Sequence, residues 1–300
     1  MSSLEKTHRS PPARPRESIT PTPSPPFRKR RIERHPVVFT LLLIVSIALF
    51  LPFLALAIKG LTPASELGAD SWFPAHWRWQ NIPDALTQIP YFKFAAISTL
   101  ISVVYSVLSM FSSALVGYGF ARLRGPGKHA LFAVLIGMMV VPQIVTLIPT
   151  YLLFSQFGLI GTYWPWVLWG TAGAPYAIFL YRQFYATFPK ELEEAARLDG
   201  AGRLRTFFTI FMPLSRPLMV TAFVISFNAT WADYVAPTLF LNADNTTLAA
   251  AIATGYDNAH GILLTNLLSA GSFIYILPVI ILFLFAQRFY VRGFVNSGIK

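Results

Sequence analysis

Phe188-Pro189-Lys190-Glu191-Leu192-Glu193-Glu194-Ala195-Ala196-Arg197-Leu198-Asp199-Gly200-Ala201-Gly202-Arg203-Leu204-Arg205 is a polar island between stretches too apolar to be anything but membrane spans. Its first half holds good helix formers, and Pro189 suits a first helical turn, where a missing N–H costs nothing. Glu191, Glu193 and Glu194 would sit at the positive end of that helix's dipole. Gly200 is a natural stop, because it takes a left-handed conformation at little cost, and a helical pattern resumes from Ala201 to Phe211 until Pro213 interrupts it. The pattern predicts two short helices joined by a tight turn, a loop of about residues 185–213. Leu192, Ala195, Ala196 and Asp199 fall at i, i+3, i+4 and i+7, and two alanines on such a face would let a partner surface come close. Taken alone, the same pattern also fits an amphipathic hairpin lying on the inner membrane surface.

Working outward, 54% of the 300 residues are hydrophobic and 12% are charged, a balance that belongs to an integral membrane protein and not to a soluble domain. Residues 1–34 are rich in proline, serine and arginine and carry almost nothing to bury, so a disordered basic tail is expected there, with the membrane domain at 35–300. Six apolar spans are predicted: Val37 to Ile58, Phe94 to Phe120, Ala130 to Leu153, Tyr163 to Tyr181, Leu218 to Leu241 and Leu267 to Ala286. The first lacks the short apolar region and small-residue cleavage site of a signal peptide. Under this topology 21 of the 24 Lys and Arg residues fall on one face, against Lys59, Arg78 and Lys93 on the other. Excess basic charge stays in the cytoplasm, which puts both termini and the polar island inside. The long outer loop, 59–93, carries Trp72, Phe73, Trp77 and Trp79, as either an interfacial aromatic belt or a contact surface.

Several chemistries are excluded. The chain has no cysteine, hence no thiolate nucleophile or thiolate metal site. Gly127-Lys128 is no phosphate loop, because Arg122 stands where the first glycine belongs and His129 where a magnesium-binding hydroxyl should be. Five scattered histidines offer no metal-ligand pair, and nothing in the charge distribution fits nucleic acid. No metal, no bound cofactor and no catalytic residue is expected in this chain.

Glu194-Ala195-Ala196, three residues, Gly200, nine residues, Ile210, then Met212-Pro213 resembles the EAA loop of ABC-importer permeases, with Met212 where leucine is usual. Ala121-Arg122-Leu123-Arg124-Gly125-Pro126-Gly127, Phe157-Gly158-Leu159-Ile160-Gly161-Thr162, Phe179-Leu180-Tyr181-Arg182-Gln183-Phe184 and Phe227-Asn228-Ala229-Thr230-Trp231-Ala232-Asp233-Tyr234 resemble further family motifs in the right order. Ala232 departs from the asparagine common there. The resemblance is closest to the carbohydrate-importing branch, typified by the shorter maltose permease subunit. It implies an all-α membrane protein with a type I permease core of six transmembrane helices and a cytoplasmic helix-turn-helix coupling loop, in a bacterial or archaeal cytoplasmic membrane. It further implies a second permease subunit, two ABC ATPase subunits that use ATP and magnesium, and an external solute-binding protein. The cargo would be a sugar, oligosaccharide or related polyol or glycerophosphate compound. Glu194, Ala195, Ala196, Arg197, Asp199, Gly200 and Pro213 would couple to the ATPase, with Arg203 and Arg205 as either contacts or solvated charges.

For a substrate path, Asn228, Trp231 and Asp233 in the fifth span supply amide, ring and carboxylate, with Gln143 and Tyr151 in the third as weaker candidates. Asn228 and Asp233 lie about 140° apart on a helix, so the three do not share one face. Met138 and Met139 read as core packing, and Pro142, Pro149 and Pro278 as sites of helix kinks. The rival class is a self-sufficient secondary transporter, which would show internal repeats and more intramembrane acids.

Overall fold

The computed structural model describes residues 36–68, 71–258 and 260–297. The predicted tail, 1–34, lies outside them. The chain divides into two units, Met1–Leu49 and Phe50–Lys300. In the first, the description covers the opening of helix α1 (Pro36–Leu61), and residues 36–49 are exposed throughout.

The second unit is helical, with one isolated antiparallel bridge, Asp257 to Leu263, among the described residues. After α1 come α2 (Asn81–Gln88), α3 (Tyr91–Arg122), α4 (Lys128–Met138), α5 (Gln143–Gln156), α6 (Trp164–Ala172) and α7 (Pro175–Ala186). Then follow α8 (Glu191–Leu198), α9 (Arg203–Thr206), a π turn (Phe207–Phe211), α10 (Met212–Leu214), α11 (Arg216–Ala232), α12 (Val235–Phe240), α13 (Leu248–Thr254), α14 (Thr265–Tyr275) and α15 (Leu277–Ser297). Among the described residues, three helical segments are long and apolar enough to cross a bilayer: α1, α3 and Thr265–Gln287. Two bent pairs also meet that standard if each is taken together: α4 with α5, and Arg203–Leu214 with α11.

The sequence reading therefore needs correction inside the spans. The predicted third span is broken at Pro142, where α4 and α5 meet at 102°. Met138 and Met139, expected in the core, flank that break and are exposed. Pro149 stays within α5 without ending it, and Pro278 lies in the first turn of α15. The predicted fourth span is two helices of 9 and 12 residues interrupted at Gly173, each shorter than the roughly 20 residues a crossing needs.

Helix α3 is the axle. Its 32 residues run roughly 48 Å at the helical rise per residue. Three apolar clusters succeed one another along it: Phe94 with Phe227, Trp231 and Tyr256; Ile101 with Leu147, Phe154, Trp166 and Phe240; Ala114 and Tyr118 with Tyr181, Tyr185, Phe207 and Phe211. The pairings rise together along α6, α7 and α3 but fall along α11, so α6 and α7 run parallel to α3 and α11 antiparallel. Ser98, Ser102, Ser106, Ser109 and Ser113 form a buried stripe on α3, small enough for helices to approach closely.

That stripe explains how the fourth segment tolerates its break. Gly173 takes φ 77°, and the freed backbone groups are met from α3: Ser113 Oγ accepts from Ala174 N at 3.0 Å, and Ser112 Oγ donates to Thr171 O at 2.6 Å. In lipid no water could do this. At the start of α2, buried Asn81 donates to Gly60 O and Thr62 O and accepts from Asn266, joining α1, α2 and α14. Trp72, Phe73, Trp77 and Trp79 are all exposed, as either expected role requires.

Two glycines on α3 give a test of opposite sign. A Cβ on Gly117 would lie 2.5 Å from Tyr181 Cβ and 3.1 Å from the backbone of α7, whereas one on Gly119 meets nothing within 4 Å. Gly117→Ala should destabilise by about 1–3 kcal/mol, and Gly119→Ala should be neutral or stabilising by up to about 1 kcal/mol, read as thermal unfolding in detergent.

Candidate functional site

The polar island folds as the predicted two helices with a tight turn. Helix α8 ends in a Schellman motif: Gly200 takes φ 75°, its N–H donates to Arg197 O at 3.1 Å, and Ala201 N donates to Ala196 O at 2.8 Å. The chain turns, and α9 begins at Arg203.

Two details differ from the sequence reading. The four residues expected on one docking face divide: Ala196 is buried and Leu192 half-buried, turned inward, while Ala195 and Asp199 are exposed with Glu194, Arg197 and Gly200. Leu198, which the spacing argument passed over, is 90% exposed at the tip. The second correction concerns Pro213, which does not end the helix. Residues 207–211 widen into a π turn, in which Met212 N donates to Phe207 O, and the helix continues through α10 to Ser215. Pro213 lacks an N–H and crowds the preceding turn, and the widened turn relieves both. The real break is at Ser215, where the axis bends by 80° into α11. Pro213 thus lies roughly 15 Å along this helix from its start near the turn, at the opposite end from Gly200.

The hairpin is pinned on its inner side by residues from three elements. Arg122, at the end of α3, places Nε 3.2 Å from Glu193 Oε1. The alignment there is that of a charge pair and not of a directed hydrogen bond. The same guanidinium donates to Phe188 O and lies 5.2 Å over the Phe211 ring. Arg122 is 7% exposed and Glu193 22%, so the pair is largely shielded from water. Below it, Tyr118, Tyr185, Phe188, Phe207 and Phe211 pack with ring centroids 4.8–6.2 Å apart. Tyr185 Oη and Ser215 Oγ are 3.1 Å apart, which ties α7 to the bend. The result is a hairpin with a fixed root and a free tip. Arg203, Leu204, Arg205 and Phe208 are exposed along its second helix.

The substrate-path candidates do not converge. Trp231 is 1% exposed, stacked between Phe227 and Tyr275, with its Nε1 donating to Tyr275 O. Asp233 Oδ1 accepts from Val235 N at 2.9 Å and Ala236 N at 3.2 Å, capping α12 across the break after α11. Tyr151 packs on Phe240 in a different cluster, and Gln143 is exposed at the start of α5. Asn228 differs from the rest: it is half-buried, and its buried Oδ1 has no hydrogen-bond partner among the described residues.

Broken apolar helices around one long axle, with a helical hairpin projecting where α7 gives way to α11, define a multi-pass membrane protein. The sequence matches the family described as "Binding-protein-dependent transport system inner membrane component" over residues 113–296. The chain is 33% identical over 270 residues to the probable ABC transporter permease protein YurM of Bacillus subtilis, covering 88% of each. It is 31% identical to that organism's melibiose/raffinose/stachyose import permease protein MelC, over 91% of this chain and 100% of the relative. It is also 31% identical to the arabinooligosaccharides transport system permease protein AraQ of Halalkalibacterium halodurans, over 86% and 93%. A chain in the crystal structure of a bacterial ABC transporter involved in the import of the acidic polysaccharide alginate has the same fold, with TM-score 0.72, 19% identity, and coverage of 88% of this chain and 99% of that one. This protein belongs to the family of binding-protein-dependent transport system inner membrane components. It is a multi-pass transmembrane subunit of an ABC importer and not itself an enzyme.

If Arg122 and Glu193 hold the root, Glu193→Gln should cost about 1–3 kcal/mol in thermal unfolding of the complex. Exchanging the charges, Arg122→Glu with Glu193→Arg, should recover part of the loss that Arg122→Glu causes alone. No recovery would mean that packing, not pairing, holds the hairpin.

Proposed function

We propose that this chain carries a sugar, oligosaccharide or related polyol or glycerophosphate compound across the cytoplasmic membrane, alternating between inward- and outward-facing states, with the force entering at the hairpin. The carrying observation is the contrast between root and tip: Glu193 is pinned while Glu194, Ala195, Arg197, Leu198, Asp199 and Gly200 stand free. A leucine exposed to 90% forfeits the roughly 1.5–3 kcal/mol that burial of such a side chain supplies. Its place at the tip of a rigid turn fits insertion into the cleft of an ATPase subunit. Pro213, within α10 and at the end of the hairpin's second helix away from Gly200, acts on helix path and not at the docked surface.

The full assembly on this reading has two permease subunits, two ATPase subunits that bind ATP and magnesium, and a solute-binding protein outside. This chain contributes six spans on that reading, counting the three long segments, the two bent pairs as one each, and α6 with α7 together as the sixth, with both termini in the cytoplasm. The basic-residue bias supports the orientation. The sugar class is supported by MelC and AraQ, whose names specify oligosaccharide import. Among the substrate-path candidates, Asn228 offers a buried acceptor without a partner among the described residues, whereas Trp231 and Asp233 already serve packing and capping.

Gly200→Val is the decisive variant. Its left-handed backbone costs a branched residue about 1–2 kcal/mol, while the space around it is open. ATP-driven uptake should fall by roughly tenfold with the complex still assembled, and Gly200→Asn, which tolerates that conformation, should stay near wild type. Full uptake in Gly200→Val would sink the coupling role. Separately, Asn228→Leu should raise the KM for transported sugar and leave ATPase activity intact; an unchanged KM removes Asn228 from the path.

A further inference from the structure

The corner between α4 and α5 is a break that this chain leaves open. At Gly173 hydroxyls from α3 meet the interrupted backbone, and Asp233 caps the restart at α12. Between Met138 and Ile144 the described residues offer no such help. Met139 N and Val140 N close turns onto Ile136 O and Gly137 O, and Val145 N donates to Pro142 O. The N–H groups of Val141, Gln143 and Ile144 and the C=O groups of Met138, Met139, Val140 and Val141 have no hydrogen-bond partner among the described residues. The nearby hydroxyls of Thr146 and Thr150 turn back into α5, donating to Gln143 O and Thr146 O. The corner also lies at membrane depth. The 11 residues of α4 rise about 16 Å from Lys128, half of a roughly 30 Å hydrocarbon core, before the axis turns by 102°.

Non-helical backbone at that depth is stable only where protein covers it or water reaches it, because hydrocarbon satisfies neither donor nor acceptor. The side chains around the corner reject water. Val140 is 80% exposed, Val141 is exposed beside it, and Ile144, Val145 and Ile148 share an exposed face at the start of α5. Open backbone turns lipid away and five branched aliphatics turn water away, which leaves protein as the cover. We infer that this corner is the seam where the second permease subunit packs, and that hydroxyl or amide side chains of that subunit meet the open backbone as Ser112 and Ser113 meet the break at Gly173. The seam rests on the two-permease assembly proposed above. Within that assembly the ATPase subunits and the solute-binding protein lie outside the bilayer, so another membrane subunit is the one that reaches this depth. Gln143, exposed at the same corner, then stands on the boundary between the two permease subunits.

The test uses the assembled transporter in lipid vesicles, with the photoreactive residue p-benzoylphenylalanine in place of Val140. Illumination should join this chain to the second permease subunit as the main product, identified by sequencing the linked peptides. Adducts confined to lipid, or formed with a second copy of this chain, overturn the proposal. Because the chain has no cysteine, Val140→Cys gives an independent reading. In the assembled transporter it should react with a water-soluble maleimide about tenfold more slowly than Arg124→Cys, which is exposed in the turn before α4. Equal rates would mean a water-lined corner and overturn the seam. ATP-driven uptake by the same vesicles separates this proposal from the importer reading. Uptake alongside lipid adducts alone removes the seam and leaves the importer; a complex that joins at Val140 but shows no uptake before illumination removes the coupling role and leaves the seam.

Discussion

Lipid offers no hydrogen bonds, so a backbone interrupted inside a membrane must be satisfied by the protein itself. Three of the breaks in this chain obey that constraint with dedicated side chains. Ser112 and Ser113 meet the gap around Gly173, Asp233 caps the restart at α12, and Ser215 with Tyr185 secures the bend into α11. The long unbroken α3 makes this possible. Its small-residue stripe brings neighbouring segments close enough for hydroxyls to reach across, and its apolar clusters hold them there.

At its C-terminal end the same axle acts differently. Arg122 is its last residue and reaches the hairpin as charge, donor and ring contact at once. On the proposed coupling role, a displacement of the tip would pass directly to the helix around which the rest is packed. The aromatic seat beneath prevents the hairpin from rocking independently, because dense packing admits discrete arrangements and not continuous deformation.

Much of this was legible in the sequence, and the reasons for what was not are physical. The hairpin, its stop at Gly200 and the apolar segments follow from local propensity and composition, which need no knowledge of neighbours. The break at Gly173 was hidden because hydropathy is blind to a glycine whose backbone is satisfied from another helix. Met138 and Met139 were misread because a membrane protein exposes apolar side chains to lipid or to partner subunits, so hydrophobicity no longer reports burial. Arg122 could be seen to close a span, but its partner Glu193 lies far along the chain, and no spacing rule joins them. The inward turn of Ala196 and the outward turn of Leu198 were likewise set by what α8 packs on and not by its own periodicity.

The π turn at Phe207–Phe211 has one more effect. A turn of this kind accommodates an extra residue, and each residue on an α-helix advances the face by about 100°. The widened turn therefore acts as a phase shifter between the soluble end of the hairpin and the helix that enters the membrane. It sets which side of the later residues is inward, so Ser215 meets Tyr185 and Phe211 meets Tyr118. Removing that one residue would leave the composition of the segment almost unchanged while pointing a hydroxyl at lipid and a ring away from its seat.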